Sequence, residues 1–444
     1  LGLPSKAVAQ SDIVGLWGSE FIFGPQVHGA ATLDRSVRGW TLRVAGFEAI
    51  GATRGDSIHI LLPGGQGELR ARIEESGGIR GFWIQPAGNL GPYASPVAFT
   101  RLQGDSWRGT ISPLLDRFSL YLNIRSSASG SLIASFHNPE LRWDGRAAYF
   151  YVERTDAGIE LRDPANGRVR FVQPYDSAQR HILMDFGVPF GLTSRTLEQA
   201  VGYLPRSSSL PAYRYRVPLS LDDGWKVAAA GSVGLDEARL QELVRRIVSV
   251  DPTDPSAPLI HSVLVARHGK LVLDEYFFGH SADQLHDLRS ASKTITGVLA
   301  GIAMDQNPQL GPETAVYPLL GYATDDPRKT HITLAQLLTH STGLACDDND
   351  DKSPGHEDTM QQQQKQKDWY RYTLDLAVAT DPGSKNAYCS ATMNLAGAVI
   401  AKAAGRTLLE LFDRDYAHPL GITSYAMNLQ PTGEAYAGGG MRLR

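Results

Sequence analysis

Hydrophobic and polar positions alternate in short runs along the first half of the chain. Four runs rich in β-branched and aromatic residues are separated by turns that contain glycine or proline, and they cover residues 39–44, 57–62, 118–124 and 148–152. Such runs are typical of β-strands, and their spacing favours an all-β domain, a barrel or a sandwich, over residues 11–217. No cluster of chemically active residues stands out there, so the sequence predicts a fold for this region and no role.

The second half of the chain changes to a helical period. Apolar residues recur three and four positions apart in five segments, residues 235–248, 288–305, 333–340, 391–404 and 408–415. Between the first two segments, residues 259–278 predict a β-hairpin that turns at His268-Gly269. A helix, a hairpin and further helices indicate an α/β domain with an antiparallel sheet over residues 218–444.

Ser290 and Lys293 are the first candidate chemistry. They stand three residues apart at the start of segment 288–305, so a helix there places hydroxyl and amine on one face. A serine needs a base to become a nucleophile, and a lysine with a lowered pKa can serve as that base. On this stretch alone a purely structural alternative stays open, in which Ser290 caps the helix and Lys293 is solvated.

Composition narrows the function classes. A hydrophobic content of 42% is that of an ordinary globular chain, and a net charge of −4 makes no case for nucleic acid or an anionic membrane. No apolar run is long enough to predict a transmembrane segment. The oligomeric state cannot be predicted.

The first residues and the two cysteines suggest a compartment. Ala7-Val8-Ala9 has the small-x-small form of a signal-peptidase site, so residues 1–10 can be a signal remnant or an ordinary terminus. In an exported protein, Cys346 and Cys389 predict a disulfide, whereas in the cytosol they predict two buried thiols. We expect a periplasmic or secreted protein.

Three sequence blocks in a fixed order carry a family resemblance. Residues 288–303 (LRSASKTITGVLAGIA), 332–344 (ITLAQLLTHSTGL) and 382–400 (PGSKNAYCSATMNLAGAVI) resemble the β-lactamase-related serine hydrolases, which include class C β-lactamases, DD-peptidases and esterases. The resemblance covers about residues 225–444. It implies a serine β-lactamase/penicillin-binding-protein-like domain with an antiparallel sheet and a helical subdomain.

The resemblance also implies residue roles. Ser290 matches the acyl-accepting nucleophile, Lys293 the base, and Tyr388 the tyrosine of the second motif. That tyrosine can work as a phenolate beside Lys293 or as a proton shuttle to the leaving group. Ser390 matches a substrate-binding position that often holds asparagine, and this departure puts β-lactam hydrolysis in doubt more than hydrolysis in general. The family-like loop that begins at Cys346 further implies a Cys346–Cys389 disulfide beside the catalytic triplet.

One expected motif is missing. The family's K-T-G or H-x-G strand, which supplies an oxyanion donor, does not occur in the residues that follow Ser390. We therefore expect the chain to be truncated at its C-terminus and nearly inactive by itself, since losing one such donor costs about 10²–10³ in rate.

We expect no metal and no cofactor. The loop Asp347-x-Asn349-x-Asp351 has three EF-hand ligand positions, but Lys352 replaces the required glycine. The leading prediction is a serine hydrolase that cleaves a small ester or amide through an acyl-enzyme on Ser290. The alternatives are a DD-peptidase or β-lactamase, and a non-catalytic binding or sensing module.

Overall fold

The structure is a computed structural model that describes residues 11–87, 92–140, 149–185, 189–221, 223–254, 256–362 and 366–444. The suggested signal remnant at residues 1–10 and the beginning of the predicted strand at residues 148–152 lie outside the described residues. Two compact units are present. The first contains the residues up to Phe23 and Asp116–Gln284, and the second contains Gly24–Leu115 and Leu285–Arg444. These units group the chain by contact, and the predicted domain ranges 11–217 and 218–444 stay a prediction.

Strands dominate the part of the chain before residue 200. In chain order the strands are β1 Gly15–Phe23, β2 Gly29–Ser36, β3 Gly39–Val44, β4 Phe47–Arg54, β5 Ser57–Leu61, β6 Glu68–Ile73, β7 Ile79–Ile84, β8 Tyr93–Arg101, β9 Ser106–Ile111, β10 Asp116–Ser126, β11 Leu132–His137, β12 Phe150–Thr155, β13 Gly158–Arg162, β14 Val169–Gln173, β15 Tyr175–Asp176, β16 His181–Asp185, β17 Pro189–Arg195, β18 Lys226–Val227, β19 Ser262–Arg267, β20 Lys270–Tyr276, β21 His286–Asp287, β22 Tyr425–Asn428 and β23 Arg442–Leu443.

Helices belong to the later part of the chain. They are α1 Glu237–Val248, α2 Ser292–Gln306, α3 Val316–Leu320, α4 Leu334–Leu338, α5 Glu357–Gln362, α6 Trp369–Asp375, α7 Ser390–Ala404 and α8 Leu408–Leu411, which a π-helical segment Phe412–Ala417 continues. Thr333 caps α4 with the reciprocal capping-box bonds to Gln336, in agreement with the predicted start of that helix. None of the helices in the described ranges is long and apolar enough to span a membrane.

In the first unit, β1 and β10–β17 form one sheet in the order β14-β13-β12-β11-β10-β1-β17-β16-β15. Its two edge strands, β14 and β15, are separated along the chain only by Pro174. The sheet therefore curls until its two edges lie close together. Trp17, Leu122 and Leu161 are fully buried inside it. Strands β1 and β10 pair from Gly15↔Ile124 to Phe23↔Asp116, and the whole segment 24–115 is therefore inserted between two paired strands.

In the second unit, that inserted segment closes into a barrel. Strands β2–β9 pair in sequence order, and β9 pairs with both β8 and β2. Closure leaves the barrel no free edge. Large side chains such as Trp40, Trp83 and Phe99 are buried and fill its interior. Residues 15–195 are thus all-β with barrel-like sheets, which confirms the predicted fold class of the N-terminal region.

The barrel is continuous with the helical part of the second unit. Strand β8 pairs with β22 (Ala94↔Met427), and β23 joins β22 to β21 just before α2. Phe82 and Ile84 of β7 pack into the same core as helices α2 and α7. Residues 24–115 therefore contribute to the core beneath the candidate site.

A buried polar cluster joins the barrel to the helices. The carboxylate of Asp413 accepts hydrogen bonds from Arg80 Nε (2.8 Å) and from Tyr425 Oη (2.7 Å). Tyr425 is 1% exposed, and burial raises the pKa of its phenol, so the hydroxyl stays protonated and donates. Each buried polar atom in this cluster has a partner, as buried polar groups require.

Candidate functional site

Ser290 lies in a tight turn at the entrance to α2. Residues Arg289–Ala291 form a single 3-10 turn, and Arg289 has a positive φ of 47°, a conformation that non-glycine residues seldom adopt. The turn is held by Asp287 Oδ1, which accepts from Arg289 N–H at 2.8 Å, and by Ser292 Oγ, which donates to Arg289 O at 2.7 Å. Ser290 itself is exposed.

Lys293 is buried one turn further along. It is 8% exposed, and its Nζ donates to Ser290 Oγ (3.1 Å), Ser390 Oγ (2.9 Å) and Gly438 O (2.5 Å). All three acceptors are uncharged oxygens. A carbonyl oxygen can only accept, whereas a serine hydroxyl can also donate. If Lys293 is a neutral amine with two N–H bonds and one lone pair, one of the two hydroxyls can therefore donate to it.

Tyr388 lies against this amine. Nζ of Lys293 is 4.9 Å from the centre of the Tyr388 ring, a cation–π distance, and the ring is 38% exposed. The imidazole of His340 packs on Tyr388 with ring centres 4.8 Å apart, and its Nδ1 accepts from Cys389 N–H at 3.2 Å. Burial, and then the charge of Lys293, lower the pKa of His340, so a neutral imidazole with a free Nδ1 lone pair is favoured.

The triplet Tyr388–Ser390 runs beside the loop that begins at Cys346. Cys346 and Cys389 form a disulfide with a Cα–Cα distance of 5.6 Å, as the resemblance implied. Both cysteines are buried. Ser390 is the first residue of α7 and is completely buried. Its hydroxyl faces Lys293.

The glycine segment 438–440 closes the far side of Lys293. A Cβ added at Gly438 would lie 2.5 Å from Tyr436 Oη and 2.7 Å from Ser390 O, so only glycine brings this carbonyl so close to the amine. Tyr436 donates to Glu357 Oε1 at 2.7 Å. Burial holds the pKa of Tyr436 well above its usual range, so its hydroxyl remains the donor. Thr296 Oγ1 anchors the segment by donating to Ala437 O at 3.0 Å.

The structure therefore brings together Ser290, Lys293, Tyr388 and Ser390, which the sequence reasoning named. Their assigned roles stay predictions. For Ser390 the burial of its hydroxyl against Lys293 differs from the open position that a substrate-binding residue needs. Sequence reasoning missed the carbonyl of Gly438, because a backbone oxygen leaves no side-chain signature. It also missed His340, which lies in the block 332–344, and Asp348, which lies in the loop that begins at Cys346.

Two carboxylates of the acidic loop after Cys346 accept hydrogen bonds from within that loop. Asp347 Oδ1 accepts from the backbone N–H and from the side-chain amide of Asn349, and Asp350 Oδ1 accepts from Lys352 N–H. Turns of this kind are common where Asp and Asn cluster.

Comparison with known proteins identifies a family for the residues that carry this site. Residues 261–443 match the family model described as Beta-lactamase. These residues form a β-lactamase-family domain. The finding confirms the recognised family and the predicted fold class of the C-terminal region, and members of this family are generally serine hydrolases. No curated protein matches the chain at a significant level.

The matches to solved structures cover only part of each chain. One, from Bacillus anthracis and described as a 6-aminohexanoate-dimer hydrolase, has 18% identity and a TM-score of 0.34 over 40% of this chain and 50% of its own. FmtA from Staphylococcus aureus has 16% identity and a TM-score of 0.31 over 41% and 57%. A penicillin-binding protein homologue from Caulobacter crescentus has 23% identity and a TM-score of 0.28 over 36% and 43%. The chain thus spans about half the length of the structures it matches.

Proposed function

We propose that the protein is a serine hydrolase that cleaves a small ester or amide through an acyl-enzyme on Ser290. The observation that carries this proposal is the position of Lys293 Nζ, buried and 3.1 Å from the exposed hydroxyl of Ser290. An exposed nucleophile with a buried amine behind it leaves the reacting oxygen open to substrate. That pairing of nucleophile and base is the arrangement that nucleophilic catalysis requires.

In the first half of the reaction, Ser290 Oγ attacks the carbonyl carbon and transfers its proton to the lone pair of Lys293. The two N–H bonds of the neutral amine then point at Ser390 Oγ and Gly438 O, which fix its orientation. The proton leaves for the alkoxide or amine of the departing group as the scissile bond breaks. We assign the relay of this proton to Tyr388, whose ring lies against Lys293.

In the second half, water attacks the acyl-enzyme. One proton of the water passes through the same relay to Ser290 Oγ, and the acid product leaves with the hydroxyl. Lys293 and Tyr388 return to their starting protonation states. No cofactor and no metal enters either half, and each proton that is taken from a nucleophile is returned to a leaving group.

Two further points belong to this proposal. The buried Cys346–Cys389 disulfide supports an exported, periplasmic or secreted protein, because disulfides persist in oxidising compartments. The match of residues 261–443 to the Beta-lactamase family model favours β-lactam or peptidoglycan substrates as the second candidate.

The test uses the full-length protein and a fluorophosphonate probe, which labels activated serines. Ser290→Ala should abolish labelling and hydrolysis of short-chain p-nitrophenyl esters. Thr294→Ala, an exposed position on the next turn, is the matched control and should keep both. Ser292 is a poor control, because its hydroxyl is buried between Arg289 O and Met441 N.

Labelling that persists in Ser290→Ala would refute the nucleophile. An unlabelled parent protein would favour the binding or sensing module. Nitrocefin turnover that exceeds ester turnover would favour the β-lactamase alternative.

A further inference from the structure

Asp348 contacts both ends of the triplet that carries Tyr388. Its backbone N–H donates to Tyr388 O at 2.7 Å, and its Oδ2 accepts from Ser390 N–H at 2.7 Å. Its other carboxylate oxygen, Oδ1, accepts from Glu357 N–H at 2.9 Å. One residue thus holds the two positions on either side of Cys389 and ties them to the start of α5.

The carboxylate is well suited to this position. Ser390 is the first residue of α7, a helix of 15 residues, so its N–H is one of the donors that the helix leaves unpaired. A carboxylate there forms a charge-assisted hydrogen bond, which is shorter and stronger than one between neutral groups. It also complements the positive end of the helix dipole.

The disulfide alone does not fix the triplet. It attaches at Cys389, whereas the two groups that face Lys293 project from Tyr388 and Ser390. A tripeptide held only at its centre can still rotate about its flanking bonds. The bonds of Asp348 remove that freedom at Tyr388 O and at Ser390 N.

We infer that Asp348 is a positioning residue of the active site, which holds Tyr388 and Ser390 in register with Lys293. This inference rests on the proposed hydrolase function and adds a residue to it. Asp348 touches neither the nucleophile nor the amine. It acts through the backbone of the triplet that carries their partners.

The main variant is Asp348→Asn in the full-length protein. Asparagine has the same shape but only one acceptor oxygen, so one of the two bound N–H groups faces an NH₂ group. Displacement of Tyr388 and Ser390 from Lys293 should lower kcat by roughly 10- to 100-fold, because small misplacements of reacting groups carry costs of that size. We expect KM to change less than about threefold, since the substrate does not contact Asp348.

Asp347→Asn is the matched control. It removes the same charge from the neighbouring position, but among the described residues its side chain accepts hydrogen bonds only from Asn349, within the loop. Asp348→Glu is the conservative variant, and we expect it to recover part of the lost kcat. A second readout needs no catalysis, namely hydrogen exchange of a peptide that contains residues 388–390. Exchange there should accelerate in Asp348→Asn and remain unchanged in Asp347→Asn.

The outcomes separate cleanly. Lower kcat with a KM that changes less than about threefold, together with faster exchange confined to the triplet, supports the inference. Equal kcat in Asp348→Asn and Asp347→Asn overturns it, as does a loss of activity that accompanies faster exchange throughout α7. If Ser290→Ala keeps the parent's activity, the proposed function fails instead. The exchange data then still decide whether Asp348 holds the triplet.

Discussion

Nζ of Lys293 lies 4.9 Å from the centre of the Tyr388 ring, while the same nitrogen donates to Ser290 Oγ at 3.1 Å. The amine therefore touches both the nucleophile and the proposed proton relay. A cation over an aromatic face is stabilised by the ring. A change in the charge of the amine therefore changes the electrostatic environment of the tyrosine.

This contact predicts that Lys293 and Tyr388 act as one proton-transfer unit. Lys293→Ala and Tyr388→Phe should each lower kcat steeply, by two orders of magnitude or more, as expected when a general base or acid is removed. The double variant should be only slightly slower than the slower single variant, because residues that act together are not additive. The measurement is kcat/KM for a p-nitrophenyl ester across the four proteins. Losses that multiply would mean that the two residues act in separate steps.

The sequence alone was sufficient to predict which reactive residues lie together where those residues follow the period of a helix. Ser290, in the 3-10 turn Arg289–Ala291, and Lys293, in the first turn of α2, are three residues apart, so local helical geometry alone brings them together. Tyr388 and Ser390 came from the resemblance, since no local rule places α7 beside α2. The approach of α7 to the segment that carries Gly438 depends on small side chains. A Cβ at Gly397 of α7 would lie 2.6 Å from Ala437 Cβ, and such close packing is set by the tertiary fold.

For the N-terminal region the sequence predicted an all-β fold class but not which strands pair. Alternating runs indicated strands β3, β5 and β10, but a period of two says nothing about which strands become neighbours. The insertion of segment 24–115 between β1 and β10 depends on pairings such as Phe23↔Asp116, which join residues far apart in sequence. The pairing of β8 with β22 is likewise non-local. These contacts carry no short-range signal.

The protonation state of His340 predicts a pH dependence of stability. Its pKa is lowered in the folded protein by burial and by Lys293, whereas Asp348 opposes this and Tyr388 packs on the ring. In the unfolded chain this histidine has the ordinary pKa of about 6.5, so it binds a proton at a higher pH than it does in the folded chain. Stability that is present above that pH is lost as the pH falls below it. A protonated imidazole also loses the Nδ1 lone pair that accepts from Cys389 N–H.

His340→Gln tests this prediction, because an amide oxygen can accept the same hydrogen bond without titrating. Melting temperatures at pH 7.5 and 5.5 are compared in the parent and the variant. We expect a smaller fall in the variant, since the other titrating groups are common to both proteins. An equal fall would show that His340 does not contribute to acid destabilisation.

The cluster around Asp413 predicts that the barrel segment stabilises the site-bearing unit. Asp413→Ala leaves Arg80 without its carboxylate and leaves the buried hydroxyl of Tyr425 unpaired. Breaking a mostly buried ion pair on one side costs about 3 kcal/mol. Denaturant unfolding measures the loss. Asp105→Ala is the control, because its pair with Arg101 is exposed and contributes about 0–1 kcal/mol. Similar losses in both variants would contradict an integrated role for the cluster.

The Cys346–Cys389 disulfide predicts a pattern across single and double variants. The bond closes a loop across a sequence separation of 43 residues, which corresponds to roughly 3–4 kcal/mol of stabilisation at most. If the bond is present in the exported protein, Cys346→Ala, Cys389→Ala and the double variant should lose similar stability, because each removes the same bond. Denaturant unfolding after periplasmic expression supplies the free energies. The parent should show no free thiol by mass spectrometry of the non-reduced protein.

The same variants should lose activity before they lose their fold. The disulfide ties the loop at Cys346 to the residue between Tyr388 and Ser390, so its removal loosens the triplet under conditions where the circular dichroism spectrum is still native. Asp348 continues to hold the triplet in these variants, and a partial loss of kcat is therefore expected. Two free thiols in the parent, or additive losses of stability from the two single variants, would refute the bond. Full activity in the disulfide-free variant would show that Asp348 and His340 suffice to place Tyr388.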